Sequence, residues 1–486
     1  MSFASYEIAR SGLTVNERGL YVTGHNIANV NTPGYVRQQA MIKNGPVNTV
    51  LTRGGLMQVG LGADIQEIRQ IRNTFLDNMY RKENSALGYW ETRQKTFIDL
   101  QAILGEPMES GLQNILNQFW DAWQELAKEP DSLTVRALVR QRSEALVQYV
   151  NHLGEQLDRL QNDLNNEIAV RIGEINEITR EIAELNVTIL KNEVSGDTAA
   201  DYRDQRNKLI DRLTRLADVN VIEMQDGQVD ITLGGYFLVQ RGISTDLYAE
   251  ERNPGDIFYV AKLAGTDIEV PVKSGILKGL MESRGEIPVS GGVTSEDTMN
   301  IVSDVKNKLN TLISVMLNEI NNLHKSGMNI KDPPEYGEDI FVAINPAKPL
   351  QMGNITLNPN LSDLSVIAAS KTGMAGDNTI ALEIANLRNK ALITSKTGLV
   401  SIDDYYQYII LTVGNKASEA VNITGSQQNL VQAIDMQRTA IAGVSMDEEM
   451  TNMLKFKFAY DAASRVLNII DSMMETVVNR MGLTGR

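Results

Sequence analysis

Apolar residues recur at two periods along this chain, and the change of period divides it. From Met446 to about Met481 they recur in sevens. One line holds Met453, Tyr460, Leu467, Met474 and Met481; a second, three residues on, holds Phe456, Ala463, Ile470 and Val477. Two such lines make an a/d seam that asks for a partner helix. At the other end Tyr6, Leu13, Leu20 and Ile27 keep the same spacing, and Ala9, Asn16 and Thr23 form a small or polar second line. A lone amphipathic helix is marginal in water, and burying a large apolar side chain is worth roughly 1.5–3 kcal/mol. Both end helices therefore gain by docking, either on each other within one core or on further copies of the molecule.

Between the ends the pattern alternates. Residues 3–29 read as helix, and Asn31-Thr32-Pro33-Gly34-Tyr35 breaks it. Pro fixes the first corner of a turn and Gly supplies positive φ at the second, which predicts a type II turn. Residues 36–68 read as loop and short strands. Helices are predicted over 73–104, ended by Gly105 and Pro107, and over 111–128, carrying Phe119, Trp120 and Trp123. No proline occurs from Asp131 to Asn253. Val150, Leu153, Leu157, Leu160 and Leu164 keep heptad spacing, Ile168 and Ile172 follow at steps of four, and Ile175, Ile178, Ile182, Leu185 and Ile189 continue. This predicts one helix over 133–193 with a stutter near Ile168. At 1.5 Å per residue it spans roughly 90 Å, which implies an elongated molecule.

A helix from Ala199 to Ala217 follows, and at Val219 the period becomes two. Val219–Glu223, Asp226-Gly227 and Gln228–Leu233 read as a β-hairpin. Gly234-Gly235 and Gly242 punctuate more strands up to about Val272, and Gly291-Gly292 marks a loop. Residues 296–325 return to helix, 327–362 read as loops and short strands, 402–441 are helical, and the last helix follows Gly443. The layout predicts a mainly α fold with a β-rich insertion: an elongated helical bundle or coiled coil with both termini at one end and a β module at the other. The expected domains are a terminal coiled coil (1–50 and 446–486), a helical bundle (51–218, 293–326 and 401–445) and a β-rich outer module (219–292 and 327–400).

Composition narrows the function. Asp and Glu number 61 against 46 Lys and Arg, a net charge of -15. Such a surface repels phosphate backbones, so no nucleic-acid partner is expected. The first 72 residues run the other way, with Arg10, Arg18, Arg37, Lys43, Arg53, Arg69 and Arg72 against Glu7, Glu17, Asp64 and Glu67. Cysteine is absent, which removes disulfides and thiolate chemistry. No apolar run reaches transmembrane length, so no membrane insertion is expected, and no cleavable signal peptide is read at the N-terminus. His25, His152 and His324 sit in separate segments with no metal-ligand spacing. Lys371-Thr372-Gly373, Lys396-Thr397-Gly398 and Ser303-x-x-Lys306 match short β-lactamase elements, but no S-D-N element accompanies them and Ser303 lies in a heptad-patterned helix. No enzyme activity, cofactor or metal is expected.

The segment His25-Asn26-Ile27-Ala28-Asn29-Val30-Asn31-Thr32-Pro33-Gly34-Tyr35 resembles the N-terminal signature of the flagellar rod, hook and hook-associated axial proteins. Asp204-Gln205-Arg206 through Asp218-Val219, Leu233-Gly234-Gly235, Gly279-Leu280-Met281-Glu282, Asn318 to His324, Gly376-Asp377-Asn378 and Gly443 to Met450 are similar to the hook–filament junction group of that family. The resemblance implies a structural subunit joining hook to filament. It implies export of the unfolded chain and assembly as a ring layer at the distal end of the hook. Implied partners are copies of itself, the hook protein, a second hook–filament junction protein, an export chaperone and the flagellar type III export apparatus. The implied location is the extracellular flagellum, with a cytoplasmic stage before export.

Carried onto this chain, the implied N-terminal assembly residues are Tyr6, Leu13, Leu20, Asn26, Ile27, Ala28, Asn29, Thr32, Pro33, Gly34 and Tyr35. The implied C-terminal assembly and chaperone-binding residues are Met453, Phe456, Tyr460, Ala463, Leu467, Ile470, Met474, Val477 and Met481. Larger members carry an outer variable domain, for which 327–400 is too short. The alternative is another axial component, a hook or distal-rod protein; the helix over 133–193 argues against it, because those are expected to be mainly β between their end helices.

Overall fold

The computed structural model describes residues 3–52, 55–105, 111–194, 198–252, 258–285, 300–395 and 398–480. Helix α1 (Phe3–Ala28) ends at the signature turn. The Tyr35 N–H donates to the Thr32 carbonyl at 3.2 Å across Pro33-Gly34, and Gly34 has φ 83°, as a type II turn requires. Strands β1 (Gln38–Asn44), β2 (Val47–Thr52), β3 (Gly55–Gly60) and β4 (Ala63–Gln70) follow. β1 pairs with β4 and β2 with β3, and the Gly45–Gly62 and Leu61–Pro46 bonds join the two pairs into one antiparallel ribbon.

The body begins with α2 (Thr74–Leu104). Asn73 caps its first turn by accepting from the Phe75 and Leu76 amides, and Gly105 closes it at φ 65°. α3 (Leu112–Lys128), α4 (Leu133–Glu193) and α5 (Ala200–Leu216) complete the first half. α4 is one helix of 61 residues, and its apolar stripe from Val139 to Ile189 is buried along most of its length. Strands β5 (Val219–Glu223), β6 (Val229–Leu233), β7 (Tyr236–Gln240) and β8 (Ile243–Ser244) form a four-stranded meander, with β9 (Leu247–Glu251) and β10 (Tyr259–Leu263) beside it. The β5–β6 hairpin turns at Asp226-Gly227 as expected, with Val219 opposite Leu233.

α6 (Ile276–Arg284), α7 (Val302–Ser326), the pair β11 (Phe341–Ala343) and β12 (Ile355–Leu357), α8 (Thr379–Asn386), the pair β13 (Ile393–Ser395) and β14 (Gly398–Val400), α9 (Ile402–Ala442) and α10 (Met446–Arg480) complete the chain. The class is mainly α with β insertions. α6 and α8 stand in stretches expected to be β-rich. At nine and eight residues they are too short to show a helical period. The expected loop at Gly291-Gly292 lies outside the described residues.

The two stretches expected in one outer module sit apart along α4. Residues 327–400 pack at its start: the Asn151 amide donates to Ile355 O, Arg136 reaches Ile367 O, and Gly376 N–H donates to Asp131. The β5–β10 stretch packs towards its end, where Asn176 and Asn186 bond the backbone of Leu247 and Val229. The termini attach at that same end, through α5. So 327–400 lies at the end away from the termini, and 219–263 lies beside them. Buried and half-buried polar side chains on α4 bond both stretches, and hydropathy cannot reveal their partners.

One core runs through the body. Phe119, Trp120 and Trp123 on α3 are fully buried, and Phe119 sits edge-on to Trp120 with centroids 4.9 Å apart. His324 on α7 is fully buried too. Its Nε2 accepts from the Ala368 amide at 2.8 Å, so Nδ1 carries the proton donated to Glu338 O. Burial pushes this imidazole down to about 4.

Candidate assembly interface at the termini

α1 and α10 pack on each other, antiparallel. Three contacts fix the register. A Cβ built at Gly12 would lie 3.5 Å from Ala463, one at Gly19 would meet the Phe456 ring, and Asn26 Nδ2 donates to Glu449 at 3.0 Å. Each pair of numbers sums to 475, which is one uninterrupted antiparallel register. Carried along, it sets Phe3 opposite Ser472, so the last described turns of α10 run past the start of α1.

The inner face of α1 is not the line of large residues. Ala9, Val15, Gly19, Val22, Thr23 and Asn26 are buried there. Tyr6 is exposed, and Leu13, Leu20 and Ile27 flank the contact, half-buried. The small line is the true seam because small residues let two backbones approach; the larger residues then close over its edges. On α10, Met453, Phe456, Ala463, Leu467 and Ile470 are half-buried, whereas Tyr460, Met474 and Val477 are exposed. Met481 lies outside the described residues.

α10 also has a second apolar stripe, which a heptad reading passes over. Leu454, Phe458, Val466, Ile469 and Met473 lie on a face turned by about a third of a circle from the seam, given 100° per residue. All are 45–66% exposed. An exposed contiguous apolar face of this kind marks an interaction surface.

The signature residues form a polar joint. Asn26, 1% exposed, uses every donor and acceptor that it has. Its Oδ1 accepts from Tyr35 Oη at 2.7 Å and from the Gln38 amide at 3.0 Å; its Nδ2 donates to Gln38 O and to Glu449. With its hydroxyl donated to Asn26, Tyr35 accepts from His25 Nδ1 at 2.9 Å. Burial, then the Asp201, Asp204 and Glu449 carboxylates, push the Tyr35 phenol well above its ordinary range. Glu449 is buried and takes Arg37 Nε at 2.8 Å, while Arg37 Nη1 reaches Glu448 at 2.7 Å. Asn29 accepts from Thr32 Oγ1 and donates to His25 O, closing the helix end. Ala28, Thr32, Pro33 and Gly34 face solvent.

The terminal unit meets the body chiefly on α5, with Arg37 N–H also donating to Ala442 O at the end of α9. Asp204 accepts from the Val36 amide at 3.0 Å and from Gln70 Nε2 at 2.6 Å. Asp201 accepts from Gln38 Nε2 at 3.1 Å and sits 3.5 Å from His25 Nε2. Two residues on from Asp204, buried Arg206 donates to Asn186 Oδ1 and Gly227 O, tying the same helix to α4 and the β5–β6 turn. Beside the joint lies a cavity of about 860 Å³ lined by Pro33, Gly34, Arg72, Lys208, Arg438 and Val444, among others. Asp204 and Arg206 were legible only as part of a resemblance, because their partners lie far off in sequence.

Residues 97–341 match the family model "Flagellar hook-associated protein FlgK helical domain", which is half of the chain. The chain belongs to the flagellar hook-associated protein FlgK family. It is a structural protein of the bacterial flagellum. Residues 436–481, the end of α9 and all described α10, match the model "Flagellar basal body rod FlgEFG protein C-terminal". The Flagellar hook-associated protein 1 of Bacillus subtilis is 29% identical over 100% of this chain and 99% of its own length. That of Escherichia coli K12 is 23% identical, covering 97% of this chain and 98% of its own. The flagellar hook junction protein FlgK of Burkholderia pseudomallei shares the fold, with a TM-score of 0.63 at 14% identity, over 75% of this chain and 100% of that one.

Within the FlgK family fold, the other chemical candidates resolve into structure. His25, His152 and His324 lie on three different helices. Asp377 accepts from Ser370, Thr372 and Thr379, so the Lys371-Thr372-Gly373 stretch is a turn wrapped round a carboxylate. Lys396-Thr397 lies outside the described residues. Among the described residues no group of three His, Asp or Glu could hold a metal, and no helix is long and apolar enough to cross a membrane.

Proposed function

We propose that this chain is the subunit that joins hook to filament, without enzymatic activity, standing as one of a ring of copies at the distal end of the hook. The terminal helix pair is its assembling element. The second apolar stripe of α10 carries this reading. The first stripe is half-covered by α1 from Met453 to Ile470, while Leu454, Phe458, Val466, Ile469 and Met473 remain open to water. A stripe of that length on a helix already paired on its other face is suited to a neighbouring pair. Under the same reading the hook protein lies below the ring and a second junction protein above it. An export chaperone engages α10 in the cytoplasm before the type III export apparatus passes the chain. The hook-associated proteins matched over nearly their whole lengths support it.

The test is Phe458→Asp with Ile469→Asp. Both side chains are exposed, so the variant keeps the helix content and melting of the parent. Cells carrying it are expected to lose motility and to shed unattached filaments. Swimming at the parental rate with filaments attached would overturn the proposal.

A further inference from the structure

The terminal unit, made of α1, the signature turn, the ribbon and α10, touches the body through few groups. Arg37 N–H donates to Ala442 O at 2.8 Å, Gln70 Nε2 donates to Ala200 O at 3.0 Å, and the remaining polar contacts converge on Asp201 and Asp204. The Asp201 side chain is more than half exposed, whereas Asp204 is 7% exposed. Between α1 and the ribbon, in residues 29–37, only Val36 is buried. The other flank is the cavity.

We infer that Asp204 is the positioning residue of this joint: its buried carboxylate, gripped by the Val36 amide and the Gln70 side chain, sets how the terminal pair is seated on the body. The two donors stand together at the open end of the ribbon, Val36 just before β1 and Gln70 at the end of β4, where Gln38 lies opposite Gln70. One carboxylate therefore clamps both strands where they leave the body. A carboxylate is acceptor-only, so it serves both donors at once. An amide at this position would satisfy one of them and turn its own N–H₂ on the other.

The charged and titratable groups facing it are Arg72, ahead of α2, which favours the ionised form; Asp201, one turn earlier on α5, which opposes it; and Tyr35, from the turn. Burial is the largest influence and pushes the carboxyl up to about 7. The Val36 and Gln70 hydrogen bonds, made to the ionised form, pull the other way.

The inference rests on the proposed function only for the use of the terminal pair. Its test is hydrogen exchange on the full chain. The Val36 and Arg37 amides report the joint, and 116–123 on α3 report the body. Asp204→Ala is expected to lower protection at 36–37 at least tenfold while 116–123 stays at the parental level. Asp204→Asn, close in shape but able to accept at one oxygen only, is expected to lower protection at 36–37 as well, by less than Asp204→Ala, and it carries the test should Asp204→Ala fail to fold. Unprotected parental amides at 36–37, equal protection in parent and Asp204→Ala, loss of both segments together, or full parental protection in Asp204→Asn would each overturn the inference. None of these outcomes bears on the motility of the stripe variant, so the two readings fail separately.

Discussion

α3 and α10 are both amphipathic helices, of 17 and 35 residues, and they end in opposite conditions. α3 turns Phe119, Trp120, Trp123 and Leu126 into a core that leaves none of them any exposed surface. In α10, twice as long, the one side chain buried among those described is a carboxylate, Glu449. Its large apolar residues lie half in or fully out of contact. The body is therefore held by interior packing that one copy completes. The terminal pair is held by a small-residue fit and a polar joint, with apolar surface left over. α3 has the sharper division into apolar and polar faces, and a third layer closes over its apolar one; α10 has two weaker apolar stripes and only one partner helix.

The largest difference is expected from deleting bulk in each region. Trp120→Ala removes a side chain with no exposed surface and should destabilise the body by about 3–5 kcal/mol. Phe458→Ala, at a position 66% exposed, should move unfolding by no more than about 0.5 kcal/mol. Guanidinium unfolding of both variants checks this. A loss at Phe458 matching that at Trp120 would mean that the stripe is closed within one chain, and the contrast between regions would fail.

Acid separates the regions next. His324 is neutral in the fold, with one nitrogen donating and one accepting, and burial holds it at about 4. An unfolded histidine takes its proton near 6.5. Between these values the unfolded chain binds more protons, so stability rises with pH across that window and is level above it. Acidifying from pH 7 to pH 4 should remove on the order of 3 kcal/mol from the body. The measurement is guanidinium unfolding at both pH values. A body whose stability is flat between pH 7 and pH 4 would show that His324 takes its proton as readily in the fold as in the unfolded chain, so that the Ala368 bond does not hold it neutral.

The sequence made the body more legible than the terminal contact. α4 could be read across its length because 61 residues show a period many times over, and the β5–β6 hairpin because Asp226-Gly227 announces its turn. The signature turn was legible to the residue, since Pro33-Gly34 admits few conformations. α6 and α8 were not, at two turns or so each. The inner face of α1 was misplaced because Gly12, Gly19 and Asn26 carry no hydropathy, though they make the contact. The second stripe of α10 was hidden by its own neighbour: one heptad seam accounts for a helix, and Leu454, Phe458 and Ile469 then read as filler. The joint could not be read at all from spacing, with Val36 and Asp204 168 positions apart.

The smallest expected effects come from two glycines five residues apart on α1, and they should have opposite signs. Gly19 faces Phe456, and a Cβ there would lie 2.6–2.8 Å from three ring carbons. Alanine at a free helical position gains about 0.8–1 kcal/mol over glycine, but overpacking costs about 1–3 kcal/mol and a ring held between two helices has little room to yield. Gly19→Ala should therefore loosen the pair. A Cβ at Gly24 would meet nothing within 4 Å, so Gly24→Ala should collect the helical gain undiminished. Hydrogen exchange of α1 amides reads both: a shift of 1 kcal/mol is about fivefold, down for the first and up for the second. If Gly24→Ala tightens α1 in the single chain and yet costs motility, that open face is covered in the assembled ring. If instead both variants raise protection, α1 and α10 are not in the close register that sets residue 12 against 463 and 19 against 456.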